Sequence, residues 1–82
     1  MRFPVFSYRD KLNNFGAPIV ESNEMTAIRG FKMQMNNENG MMNFSPADFD
    51  LYRIGEFDPE KGIITSEKVP VLVVTGVSMI GD

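Results

Sequence analysis

The sequence contains neither cysteine nor histidine among its 82 residues. Without cysteine, the chain can form no disulfide and no thiolate site. Without histidine, it lacks the usual zinc ligand and the side chain that carries protons near neutral pH. A metal site or an acid–base enzyme would therefore have to be built from carboxylates alone.

Long apolar runs are also missing. The longest, residues 69–74, contains Pro70 and is far shorter than the roughly twenty residues that cross a bilayer. The first ten residues, MRFPVFSYRD, are too polar and too interrupted for a signal peptide. We therefore expect a soluble cytoplasmic protein with no membrane association.

The charge of the chain is unevenly distributed. The formal net charge is −3, with five cations against three acids in residues 1–35 (+2) and three cations against eight acids in residues 36–82 (−5). A polyanionic partner would therefore meet the first half of the chain. The alternative is that the asymmetry is ordinary scatter on a small acidic protein.

A hairpin at residues 50–62, DLYRIGEFDPEKG, is the clearest structural signal. An extended run over residues 51–57 is followed by a turn and then by the β-branched residues 63–65. Pro59 suits the start of a type I turn, and Gly62 suits a left-handed residue at its end. The pattern predicts two antiparallel strands joined by a short loop.

Other elements are predicted around this hairpin. Residues 2–9 form a first strand in which Pro4 indicates an edge or a strand start, and residues 17–21 form a short second strand. A helix begins at the N-cap pair 22–23 and ends near Asn36, with Ile28, Phe31 and Met35 on its apolar stripe. Residues 45–48 predict one helical turn. The pattern breaks at residues 66–68, and residues 71–74 form a last strand.

These elements predict one α+β domain spanning residues 1–82. A single antiparallel sheet of four to five strands, in the chain order ββαββ, packs on one main helix, and a one-turn helix precedes the third strand. Residues 75–82 are expected to be less ordered.

The predicted sheet has two faces but only one main helix. Apolar residues alternate onto both faces of several strands, as Val5 and Phe6 illustrate. Because large apolar patches are uncommon on monomers, we expect the second face to be covered by the C-terminal tail, by another copy of the chain or by a ligand.

Acidic residues gather in the second half of the chain. Paired carboxylates can serve acid–base catalysis or hold magnesium. A simpler interpretation is that those in the hairpin turn face water, because no nucleophile–base pair and no phosphate loop accompanies them. We therefore expect no catalytic residues, no metal and no cofactor. The residues concerned are Asp48, Asp50, Glu56, Asp58 and Glu60.

Aromatic residues close to cations are a better indication of function. Single-stranded nucleic acid is commonly held by bases stacked on aromatic rings, while lysine and arginine follow the phosphates. The alternative is that aromatic residues in a strand belong to the core. The group near the first strand consists of Phe6, Tyr8, Arg9, Lys11 and Phe15.

Three segments resemble a known family. They are YRD at residues 8–10, AIRGF at residues 27–31, and residues 48–62, which fit D-[FY]-x-L-[YF]-x-[IL]-G-x-[FY]-D-x-x-x-G. Together they are similar to the small nonstructural protein of the gokushovirus branch of the microviruses, phages with single-stranded DNA genomes. The resemblance covers about residues 5–65 and implies a replication-associated, DNA-binding protein made in the infected bacterium. It implies no catalytic residue.

The leading hypothesis is therefore a non-enzymatic phage protein that binds single-stranded DNA in the host cytoplasm. Tyr8, with Phe6 or Phe15, would stack bases. A phage replication protein and a second copy of the chain are further candidate partners. The alternative function is an adaptor that docks a replication or capsid-assembly protein through an exposed sheet face or edge. The cations expected to neutralise phosphates are Arg2, Arg9, Lys11, Arg29 and Lys32.

Overall fold

The computed structural model describes residues 1–80 and contains one four-stranded antiparallel sheet. Its strands lie in the spatial order β2-β1-β3-β4, so that β1 and β3 are central and β2 and β4 are at the edges. The predicted α+β architecture and the ββαββ chain order are confirmed. The strands are β1 (Phe3–Asp10), β2 (Ile19–Val20), β3 (Phe49–Asp58) and β4 (Ile63–Thr75).

The helical elements lie between β2 and β3 and after β4. The main helix is α1 (Glu24–Met35), and α2 (Met41–Phe44) is a single turn. Short 3-10 turns occupy Pro46–Asp48 and Val77–Met79. No helix in residues 1–80 has the length and apolar character needed to cross a membrane. The expectation of lower order at the C-terminus falls in part on Gly81 and Asp82, which lie outside the described residues.

Helix α1 begins and packs as its sequence predicts. The side chain of Asn23 accepts a hydrogen bond of 2.9 Å from the Thr26 backbone N–H, which satisfies one of the donors left free at a helix start. Ala27, Phe31 and Met35 are buried. They form the core with three residues of the sheet, namely Phe6, Phe49 and Leu51.

The hairpin between β3 and β4 is also confirmed. The backbone N–H of Gly62 donates to the carbonyl of Asp58 at 2.7 Å, and Asp58 Oδ1 accepts from the Glu60 N–H at 3.0 Å. Gly62 has a φ of 69°, in the region that glycine adopts without steric cost. The turn residues therefore set the register in which the two strands meet.

Strand β4 differs from the prediction of two short segments. It is one strand of 13 residues, but its pairing with β3 jumps from Gly55 opposite Ser66 to Arg53 opposite Val71. Residues 67–70 therefore leave the ladder as a wide bulge. Glu67, at its start, is held by Arg53 through an Nε–Oε2 contact of 3.1 Å.

Strand β1 lies inside the sheet, so the prediction that Pro4 marks an edge strand is wrong. The alternative offered with it, a strand start, is confirmed because Pro4 is the second residue of β1. The missing N–H is tolerated there, and the Pro4 carbonyl still accepts a bond of 3.1 Å from the Glu21 N–H of the neighbouring chain segment.

The two faces of the sheet are covered differently. Helix α1 covers the face that carries Phe6 and Leu51, and Met79 after β4 packs on the same side. The C-terminal turn therefore does not cover the second face. That second face, here called the helix-free face, carries Ser7 and the residue directly opposite it on β3, Tyr52.

Candidate nucleic-acid interface

Three side chains meet on the helix-free face and form the Arg9–Phe15–Tyr52 cluster. The Arg9 guanidinium carbon lies 4.8 Å from the centre of the Phe15 ring, the geometry of a cation–π contact. The rings of Phe15 and Tyr52 are 5.3 Å apart between centroids and inclined at 77°, which is an edge-to-face arrangement. All three residues are half-buried, so part of each remains accessible.

The loop after β1 places Phe15 over the sheet. The loop turns back on β1, so that Phe15 forms an isolated antiparallel β-bridge with Arg9. The Gly16 N–H donates to the Tyr8 carbonyl at 2.8 Å. Ser7 is fully buried beside this loop and donates from Oγ to the Gly16 carbonyl at 2.9 Å. The serine therefore fastens the loop that carries Phe15 to the sheet.

The Arg9 guanidinium has no ion-pair partner among residues 1–80. No described residue forms an ion pair or a hydrogen bond with its guanidinium, and its Nε is buried without a partner. Asp50 lies directly opposite Arg9 on β3, but its carboxylate accepts from the Gly76 N–H at 3.2 Å and contacts Lys11 Nζ at 3.4 Å. Because a desolvated cation favours an anionic partner, Arg9 is well suited to meet an anion from solution.

Lys11 lies at the end of the same face. Besides Asp50, its ammonium donates to the Ala47 carbonyl at 3.0 Å. About half of the side chain is exposed (51%), whereas that of Asp50 is only 7% exposed. The ammonium is therefore held by two contacts, while about half of the Lys11 side chain faces solvent.

A comparison with models of protein families identifies the family of the chain. The family model described as Phage ORF5 protein matches residues 3–79, a span that contains all four strands and α1. The chain belongs to the Phage ORF5 protein family. It is therefore a phage protein. No curated protein and no solved structure matches the chain significantly.

Two of the aromatic residues predicted at the site of this phage protein lie on the helix-covered face instead. Phe6 has 0% exposed surface and belongs to the core, so the prediction that it stacks a base does not fit the structure. The Tyr8 ring packs on Phe31 with centroids 5.2 Å apart. Burial, with a smaller effect from Glu21, raises the pKa of Tyr8 above its ordinary value of 10.0.

Three of the predicted cations are also remote from the Arg9–Phe15–Tyr52 cluster. Arg29 and Lys32 are exposed on α1, which covers the opposite face of the sheet. Arg2 is at the other end of β1 and contacts Glu56 at 3.4 Å. The structure therefore brings together only Arg9, Lys11 and Phe15 of the predicted set.

Tyr52 is the site residue that the sequence analysis did not select. The sequence feature that could have identified Tyr52 is the alternation along β3, where Leu51 points to the core and Tyr52 to the helix-free face. The partnership with Phe15 depends on a loop folding over a different strand, and no local pattern in the sequence predicts it.

Three of the acidic residues considered for catalysis, Asp50, Glu56 and Asp58, have structural contacts. Asp50 and Asp58 accept backbone hydrogen bonds, and Glu56 contacts Arg2 and Arg53 at 3.4 Å each. Among residues 1–80, no three acidic side chains converge in a group that could hold a metal ion.

Proposed function

We propose that this phage protein binds single-stranded DNA during replication of a viral genome in the cytoplasm of the bacterial host, without catalysing a reaction. The observation that carries the proposal is the Arg9–Phe15–Tyr52 cluster on one sheet face. In it, a half-buried guanidinium without an anionic partner among residues 1–80 lies over the Phe15 ring, and that ring packs against Tyr52. The resemblance of residues 48–62 to the gokushovirus protein supports the biological setting.

In the proposed mechanism, aromatic rings bind the bases and cations bind the phosphates. A base stacks on the exposed part of Tyr52 or Phe15. This stacking does not depend on the DNA sequence, because every base has a flat face. Arg9 and Lys11 contact neighbouring phosphates. With two phosphate contacts, the logarithm of the binding constant should fall by about 1.4 for each unit rise in the logarithm of salt concentration.

The test is binding of a fluorescently labelled single-stranded oligonucleotide, measured by anisotropy over a range of salt concentrations. Arg9→Gln should weaken binding and reduce the salt slope by about 0.7. The matched control is Arg29→Gln, which removes the same charge from the opposite side of the molecule and should leave the slope unchanged. Equal losses in the two variants would show that only net charge matters and would contradict the proposed site.

Stacking is tested separately with Tyr52→Leu, which keeps an apolar side chain but removes the ring. The variant should lose on the order of 1–3 kcal/mol of binding free energy per stacked base while retaining the salt slope of the wild type. A Tyr52→Leu variant that binds as well as the wild type would show that no base stacks on Tyr52.

The adaptor function is supported by a different feature, the open edge of β4. Val69, Val71 and Leu72 expose at least about half of their surface along this strand. A replication or capsid-assembly protein could add a strand there. Absence of oligonucleotide binding at low salt would favour this second function over the first.

A further inference from the structure

A groove lined by apolar side chains lies where the loop after β1 meets the α2 turn. Leu12 comes from the loop, and Met41 and Phe44 come from α2. The buried Phe49, at the start of β3, lines it as well. This groove, here called the Leu12–Phe44 groove, has a volume of about 200 Å³. Because a cavity of roughly 150 Å³ holds a benzene molecule, the groove has room for one large apolar side chain.

Three of these side chains are largely in water although they surround one groove. Leu12 is 81% exposed, Met41 71% and Phe44 87%. Single exposed apolar residues are ordinary on a protein surface, whereas several around one groove are typical of a contact with another molecule. A small molecule in the groove would leave the outer parts of Leu12 and Phe44 in water. A ligand large enough to cover them as well therefore fits better.

Hydrogen bonds within the chain hold the two sides of the groove together. The Lys11 backbone N–H donates to the Asp48 carbonyl at 2.8 Å, and its Nζ donates to the Ala47 carbonyl at 3.0 Å. The Asp48 N–H in turn donates to the carbonyl of Ser45, directly after α2, at 3.0 Å. The loop and the α2 turn are therefore held in place relative to each other, which lowers the entropy lost when a ligand binds.

The two charged side chains that line the groove, Asp10 and Asp48, are both acidic. Neither forms an ion pair with a described residue. The Asp10 carboxylate accepts one bond of 3.0 Å from the Leu12 N–H, and within residues 1–80 that of Asp48 accepts none. Lys11, the cation nearest in sequence, pairs with Asp50 instead. Two carboxylates beside an apolar surface attract a cation and repel the phosphates of a nucleic acid.

We propose that the Leu12–Phe44 groove binds a basic segment of a partner protein. The segment inserts one large apolar side chain into the groove and places a neighbouring lysine or arginine beside Asp10 and Asp48. Its chain covers the exposed parts of Leu12 and Phe44. Burial of apolar surface supplies most of the affinity, and the cation supplies orientation and faster association.

The groove lies on the other side of the sheet from the Arg9–Phe15–Tyr52 cluster. Asp10 is directly opposite Phe49 on the neighbouring strand, and directly opposite residues share a face of the sheet. Phe49 belongs to the core beneath α1, so the groove is on the helix-covered side. The partner and a DNA strand can therefore be bound at the same time, and the groove proposal does not rest on the proposed function.

The chemistry of the partner is tested by selecting displayed short random peptides on the immobilised full chain. The enriched peptides should share one leucine, methionine or aromatic residue with a lysine or arginine next to it. A parallel selection uses Phe44→Ser, whose fold should be retained because Phe44 is mostly in water, as urea unfolding would check. That variant should not enrich the shared sequence. No enrichment on the wild type, or enrichment of acidic peptides, would overturn the proposal.

The position of the contact is tested with one enriched peptide, fluorescently labelled and measured by anisotropy. Met41→Ser should weaken its binding by about three- to tenfold, because part of the buried apolar surface is lost. The matched control is Met33→Ser, which removes a methionine of similar exposure (70%) from α1 and should leave the affinity unchanged. Equal losses in the two variants, or no loss in Met41→Ser, would show that the peptide binds elsewhere.

The role of the carboxylates is tested with paired substitutions in the protein and the peptide. Asp48→Asn should weaken binding by about threefold at low salt and by less at high salt. The loss should vanish when the basic residue of the peptide is replaced by glutamine, because both changes remove the same contact. The control is Glu60→Gln, which removes a carboxylate at the far end of β3 and should have no effect. A loss of the same size with both peptides would contradict the proposed ion pair.

Two further measurements separate this proposal from its alternatives. If the full chain is a dimer in sedimentation equilibrium and Phe44→Ser is a monomer, a second copy occupies the groove and the partner proposal is wrong. Arg9→Gln should leave peptide binding unchanged, and Met41→Ser should leave oligonucleotide binding unchanged. Peptide binding without DNA binding would remove only the proposed function, and DNA binding without peptide binding would remove only the groove proposal.

Discussion

Gly55 and Gly30 differ in how much space the structure leaves for a side chain. A Cβ at Gly55 would lie 2.6 Å from the Thr65 carbonyl oxygen, because β4 approaches closely where its bulge begins. A Cβ at Gly30, in the middle of α1, would have no neighbour within 4 Å. Gly55 is therefore needed for space, whereas Gly30 contributes only its conformational freedom.

Alanine substitutions at these two positions should change stability in opposite directions. Gly55→Ala should lower the free energy of unfolding by about 1–3 kcal/mol, since backbone must shift to accept the methyl group. Gly30→Ala should raise it by about 0.5–1 kcal/mol through the unfolded state and helix propensity. Urea denaturation measures both. A neutral Gly55→Ala would mean that the bulge adjusts without cost.

Individual residues were predictable where their partners are close in sequence. Gly62 at the hairpin turn and Asn23 before α1 were both identified, because a turn or a cap is set by the next few residues. Arg9 and Phe15 were both selected as site residues, but Tyr52 was not, because it reaches Phe15 from a distant strand.

At the scale of elements, the spacing of apolar residues and the positions of capping and turn residues predicted α1 and the hairpin. The irregular course of β4 was only half anticipated. Residues 66–68 were expected to interrupt the pattern, but the interruption is a bulge within one continuous strand. Whether a chain re-joins the same neighbour after a break is decided by the strand beside it, here by β3.

The N-cap of α1 gives a prediction at this scale. Asn23→Ala should lower the free energy of unfolding by about 1 kcal/mol, because the Thr26 N–H loses its acceptor. Thermal or urea unfolding followed by circular dichroism measures the change. Ser22→Ala is the control, since the nearest hydroxyl partner of Ser22 is 3.5 Å away. Equal losses of stability in Asn23→Ala and Ser22→Ala would show that Asn23 is not the capping residue of α1.

At the scale of the whole molecule, the arrangement of the two sheet faces decided which site predictions fit. Arg29 and Lys32 were grouped with Arg9 because all three lie in the basic half of the sequence. Arg29 and Lys32 lie on α1, on the other side of the sheet from the helix-free face, so the group is divided. Net charge along a sequence does not show which side of a sheet a residue occupies.

The stability of the whole molecule should respond to alkaline pH through Tyr8. Its pKa is raised in the folded state, chiefly by burial and also by Glu21, so the unfolded chain loses the proton first. The contribution of Tyr8 is complete below pH 10.0, and it is lost as pH rises from there through the higher pKa of the folded state. Urea unfolding of Tyr8→Phe should show a shallower decline above pH 10.0 than the wild type.

The control for this prediction is the same pair of proteins compared below pH 10.0, where the contribution of Tyr8 is complete and the difference in stability between them should stay constant. A Tyr8→Phe variant that loses stability as steeply as the wild type above pH 10.0 would show that other groups dominate the alkaline response.

The spatial order β2-β1-β3-β4 also bears on how the chain folds as the ribosome makes it. Strand β1 is synthesised early, yet its long neighbour β3 begins 39 residues after the end of β1, at Phe49. Until then its only strand partner is the two-residue β2. The sheet can therefore assemble only after most of the polypeptide has left the ribosome, and loop closure between β1 and β3 should limit the folding rate.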